Sequence, residues 1–76
     1  MKLFLISDNV DTLIGMRLAG VEGLIVHERE ELKDALSRTL SDPEIGILLL
    51  TENFGRKFPE IINPVKLERK FPLIVE

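Results

Sequence analysis

Four short runs of nearly continuous apolar residues decide most of what this chain can fold into. They are Lys2–Ile6, Gly23–Val26, Ile45–Leu50 and Phe71–Val75. Each has the length of a strand, and none alternates polar with apolar side chains. A strand wetted on one face alternates, whereas a strand covered on both faces reads as one apolar stretch. Both-sided covering is the mark of a parallel sheet, and parallel neighbours need crossover connections long enough to hold a helix. The three intervening segments have that length.

The first crossover is predicted as a helix from about Asn9 to Ala19. Asp8 is the candidate N-cap, Asp11 adds a carboxylate to the first turn, and Gly20 supplies the stop. Val10, Leu13, Ile14 and Leu18 recur at helical spacing, with Arg17 on the same stripe. The second helix is predicted from about Glu28 to Ser41, with Leu32, Ala35, Leu36, Thr39 and Leu40 as its apolar face. Glu28, Glu30 and Glu31 sit in its first turn, where the helix dipole favours negative charge, and Asp42-Pro43 ends it. In the third segment Thr51 is the candidate cap of a helix carrying Phe54, Phe58, Ile61 and Ile62 on one face. Gly55 weakens that helix and Pro59 removes a hydrogen bond, so a kinked or two-piece helix is expected, closed by Asn63-Pro64. Val65–Lys70 then reads as a turn or loop. With right-handed crossovers, the fold class is α/β: an open four-stranded parallel sheet in the order 2-1-3-4, a three-layer sandwich of the flavodoxin-like or receiver-like kind. Pro72 suits an edge strand.

The chain has 76 residues, enough for a single α/β domain over 1–76. So small a domain buries only about 60% of its unfolded surface, which favours a binding module over an enzyme with an enclosed site. A net charge of −3 argues against nucleic acid as a partner, since phosphate contacts need a basic surface. No apolar run approaches the roughly 20 residues of a membrane span, and the apolar start is too short for a secretory leader. There is no cysteine, so disulfides, thiolate nucleophiles and cysteine-bound zinc are excluded. Together these features point to the cytoplasm.

In an open α/β sheet, ligands bind beyond the carboxyl ends of the strands. That edge is expected to carry Ser7-Asp8, His27, Thr51-Glu52 and Glu76. Asp8, Glu52 and Glu76 have the hard oxygen donors that magnesium prefers, but Asp8 and Thr51 are equally explained as helix caps. A phosphoacceptor receiver needs an aspartate at the end of the third strand; Thr51 stands there. Ile6–Val10 contains no glycine, so a phosphate-binding loop is not expected. His27 is the only histidine, and no nucleophile is placed to work with it. Neither a catalytic residue nor a cofactor or metal is assigned. Arg17 has two readings: a side chain snorkelling past the core at the helix C-terminus, or an anchor for a carboxylate on a partner.

Gly15-Met16-Arg17-Leu18-Ala19-Gly20, preceded by a strand and an acidic turn, resembles the opening of the F subunit of the archaeal and vacuolar-type (A/V-type) ATP synthases. The family has a Gly-aromatic-Arg/Lys-Leu-Ala-Gly pattern at this place, with Met16 here in the aromatic position. Leu50-Thr51-Glu52 after the third strand and Phe71–Glu76 at the end are similar too. The resemblance implies a non-catalytic subunit of the rotary central stalk. Such a protein clasps the coiled coil of the D subunit, and catalysis belongs to the A and B subunits. It implies a cytoplasmic, peripheral place in a membrane-bound complex, with ATP hydrolysis or synthesis coupled to ion transport and no membrane insertion of its own. It also implies a C-terminal segment, beyond these residues, that contacts the catalytic head. Arg17, Phe54 and Phe58 are the expected partner-binding residues, the two rings because their helix is irregular. Strand four, at the sheet edge, is expected to pair with a second copy. The alternative function is a receiver-like signalling or small-ligand-binding α/β domain.

Overall fold

The computed structural model describes residues 2–68 and 73–75. Its elements are β1 (Lys2–Ser7), α1 (Val10–Leu18), β2 (Glu22–Ile25), α2 (Arg29–Leu40), β3 (Ile45–Leu50), α3 (Glu52–Lys57), α4 (Pro59–Glu68) and β4 (Leu73–Val75). The strands form one parallel sheet in the order β2-β1-β3-β4. The expected α/β class and strand order are therefore present. Phe71, Pro72 and Glu76 lie outside the described residues.

Side chains alternate between the two faces of each strand. On one face Ile6, Val26, Leu48 and Leu50 meet Leu32, Ala35 and Leu36 of α2, Phe54 of α3 and Ile62 of α4 in one buried cluster. The opposite face carries α1, whose Leu13 packs with Leu5 and Val21 in a smaller cluster. Helices thus flank both faces, but unequally. Beside α1, Leu3 and Val75 remain 40% and 41% exposed.

α1 is capped by Asn9, not by Asp8 as the sequence suggested. Asn9 has an extended backbone, and its Oδ1 accepts from the N–H groups of Asp11 at 2.8 Å and Thr12 at 3.2 Å. The stop at Gly20 is as expected: its φ is +88°, the N–H of Gly20 bonds to Arg17 O, and that of Val21 bonds to Met16 O. The apolar stripe of α1 is not one buried face. Leu13 turns inward, while Val10, Ile14 and Leu18 are 54%, 52% and 86% exposed.

α2 follows its predicted span and buries Leu32, Ala35, Leu36 and Thr39. At its start the Glu31 carboxylate accepts from the backbone N–H groups of Glu28 at 3.0 Å and His27 at 3.1 Å. These bonds, that from Glu28 first, hold the Glu31 carboxyl below its ordinary value of 4.5. A carboxylate with a depressed folded-state pKa stabilises the fold above its unfolded pKa and loses that contribution as pH falls through the folded one. The Tm difference between the wild type and Glu31→Gln is therefore expected to be largest near neutrality and to shrink as pH drops below 4.5. An equal difference at pH 7 and pH 3 would contradict this account.

The third crossover is in two pieces, as Pro59 implied. Phe58 breaks the helix with φ −130° and ψ 56°, and α4 restarts when Ile62 N–H bonds to Phe58 O. The expected closure at Asn63-Pro64 is corrected: Pro64 lies inside α4, which continues to Glu68. Pro64 cannot donate to the carbonyl of Glu60. Both residues are exposed, so water can serve that carbonyl. Buried Ile62, with Ile61 and Val65 packed beside it, holds the helix to the core through the proline.

Candidate functional site

The carboxyl edge of the sheet is where chemistry would form in this fold. Ser7, Asp8, Thr51 and Asn53 there are engaged in side-chain hydrogen bonds, while His27 and Glu52 are exposed. Thr51 heads α3 with an extended backbone, but its hydroxyl does not cap the helix. It donates instead to Ser7 Oγ at 2.8 Å, bridging the ends of β3 and β1. Ser7 Oγ also accepts from Asn9 N–H at 2.9 Å and donates to Asn9 O at 3.3 Å. Asp8 Oδ2 accepts from Asn53 Nδ2 at 3.1 Å, and Asn53 Oδ1 accepts from Arg56 at 2.5 Å. Across the helical layer Arg29 of α2 pairs with Glu60 of α4 at 2.6 Å.

This arrangement ties β1, β3, α1 and α3 together through side-chain hydrogen bonds around a fully buried Ser7. Asp8 and Glu52 are not joined by a third ligand: among the described residues no three His, Cys, Asp or Glu side chains are grouped to hold a metal ion. Thr51 occupies the place of a receiver's phosphoacceptor, and its oxygen is a donor in a structural bridge. Local pattern could not have revealed that bridge, because its partners are 44 positions apart.

The expected docking residues fall into three environments. Phe54 is 1% exposed and belongs to the main core. Its placement on a partner-facing surface is therefore corrected: α3 starts tightly after β3, and its first turn drives that ring between α2, α4 and the sheet. Phe58 is half-buried, packed on the edge of the same cluster. Arg17 is exposed in the last turn of α1. No carboxylate pairs with it among the described residues. It lines an open hollow of about 630 Å³ along the outer edge of β2, with Phe4, Val21 and Leu24.

The exposed apolar residues are the feature that sequence periodicity conceals. Val10, Ile14 and Leu18 stand four residues apart on the outside of α1, next to Arg17. Among the described residues, β4 pairs only with β3, so one side of that strand is open. No helix among the described residues is long and apolar enough to cross a membrane.

Comparison with known proteins gives a consistent result. Residues 3–76 match the family model described as ATP synthase (F/14-kDa) subunit. The chain is similar to the F subunit of the A-type ATP synthase of Thermococcus kodakarensis, 33% identical over 75 residues, covering 90% of this chain and 72% of that protein. It is similar to the protein of the same name from Methanococcoides burtonii, 31% identical over 61 residues, covering 80% of this chain and 62% of that protein. A third relative with that name, from Methanothermobacter thermautotrophicus, is 31% identical over 67 residues, covering 87% of this chain and 62% of its own length.

Proposed function

The chain belongs to the family described as ATP synthase (F/14-kDa) subunit, and from that premise we propose that it is a non-catalytic rotor component of an A/V-type ATP synthase. In this reading it sits in the central stalk, docks on the coiled coil of the D subunit, and turns with it inside the ring of A and B subunits. It helps couple ATP hydrolysis or synthesis to ion transport, at the cytoplasmic side of the membrane. The observation that carries the reading is the family match from residue 3 to residue 76. The surface supports it: at the carboxyl edge Ser7, Asp8 and Thr51 are committed to internal bonds, while apolar side chains and Arg17 face outward on α1.

Arg17 is the proposed anchor for a carboxylate of the D subunit; half-buried Phe58, on the opposite face of the sheet, is proposed as a separate contact. A guanidinium with five donors suits a carboxylate better than a lysine would. Losing a buried interface arginine typically costs about 2 kcal/mol, roughly thirtyfold in affinity. Purified chain mixed with the D subunit is expected to form a stable complex by size-exclusion chromatography. Arg17→Ala is expected to weaken that complex by about thirtyfold while circular dichroism stays unchanged. Failure of the wild-type chain to bind the D subunit would sink the rotor reading.

A further inference from the structure

We infer that the outer face of α1 is the seat for a single amphipathic helix of the partner. The inference rests on the central-stalk reading and adds the surface and the form of its occupant. α1 is apolar around more of its circumference than one core contact needs. Leu13 fills the inner side and Met16 packs at its flank. Val10, Ile14 and Leu18 form an exposed row at i, i+4 and i+8. Such a row is the ridge that helices use against each other.

The adjoining row along the helix is Asp11, Gly15 and Ala19, and all three are exposed. Gly15 and Ala19 have almost no side chain, so the ridge is bordered by a groove. The fold itself does not ask for glycine here. A Cβ built on Gly15 would meet nothing within 4 Å. A mid-helix glycine is unfavourable, and close approach of another backbone is what it permits. Ridge beside groove is complementary to a second helix, crossing at about −50° in the commonest packing class. An extended peptide has no matching ridge at that spacing.

Charge fixes what that helix carries. Asp11 lies in the first turn of α1 and Arg17 in the last. Neither forms an ion pair among the described residues. The complementary helix bears a cation level with Asp11, a carboxylate level with Arg17, and an apolar row between them. Its acidic residue would meet Arg17 at the mouth of the hollow along β2, so seat and anchor are continuous.

Affinity of the chain for the D subunit, read by titration calorimetry, tests this. Ile14→Glu and Leu18→Glu are each expected to weaken binding thirtyfold or more with an unchanged Tm, because both positions are exposed. Gly15→Leu is expected to do the same by filling the groove. Leu67→Glu is the control, since Leu67 is equally exposed on α4, away from α1; its affinity should match the wild type. If the wild type binds the D subunit and the α1 variants bind it equally well, the seat is elsewhere and the rotor reading stands. If the wild type does not bind the D subunit, the rotor reading fails and takes this inference with it. If light scattering shows a dimer that Leu18→Glu dissolves while affinity for the D subunit is untouched, the occupant is a second copy and the inference is overturned.

Discussion

Gly23→Val is expected to cost about 3 kcal/mol or more, a large share of what holds so small a domain folded. Gly23 lies in β2 directly beneath α1. A Cβ at this position would stand 2.7 Å from Leu5 O, 2.8 Å from Leu13 Cδ1 and 3.0 Å from Leu5 Cβ. The first of these is a main-chain oxygen in the neighbouring strand of the parallel ladder, and it cannot retreat without breaking the pairing of β1 and β2. Leu13 can rotate a methyl group, but it is the one residue of α1 that is buried. Any relief there loosens the helix from the sheet. Overpacking a tight core costs about 1–3 kcal/mol and sometimes more. A domain of this size has roughly 4–11 kcal/mol in total. A loss of about 3 kcal/mol corresponds to a Tm lower by roughly 12 °C or more. Gly15→Ala in the same experiment is the contrast: no atom opposes its Cβ, so it should be neutral or raise stability by up to about 1 kcal/mol. A Gly23→Val domain that melts with the wild type would mean that α1 does not approach β2 so closely.

The sheet is readable in the sequence because its signal is local and redundant. Apolar runs such as Ile45–Leu50 state that both faces are covered, and that statement fixes parallel pairing. Gly20 is readable for a similar reason: a left-handed residue after a helix has few alternatives to glycine. The cap of α1 is not readable between Asp8 and Asn9, since both side chains cap equally well. Ser7 decides it, by accepting the Asn9 N–H and holding Asn9 extended at the helix start. Pro64 misleads because the proline rule concerns hydrogen bonds, whereas its cost depends on which face loses one. Around α1 the 3.6-residue period identifies apolar positions but does not say which of them the core buries. A stripe that meets the core and a stripe that meets a partner have the same spacing. Only the folded structure separates buried Leu13 from exposed Val10, Ile14 and Leu18.

Phe54 is where fold and docking are easily confused, and its substitution should show the difference. Phe54→Ala is expected to cost about 3–5 kcal/mol, the range for emptying a buried aromatic site. The ring is among the largest fully buried side chains, and it touches a cluster drawn from α2, α4 and the sheet. Phe54 O also accepts the N–H of Phe58 at 2.8 Å, so the backbone at this point sets the break between α3 and α4. A cavity here loosens both helices. Binding to the D subunit would then fall with the folded fraction, and a simple pull-down would credit a buried ring with a surface contact. Phe54→Leu separates the two effects. It keeps most of the apolar volume, so the domain is expected to remain folded at low temperature with a reduced Tm. Under those conditions its affinity for the D subunit should equal that of the wild type. A folded Phe54→Leu domain that binds tenfold more weakly would place the ring in the interface, and would require α3 to open in the complex.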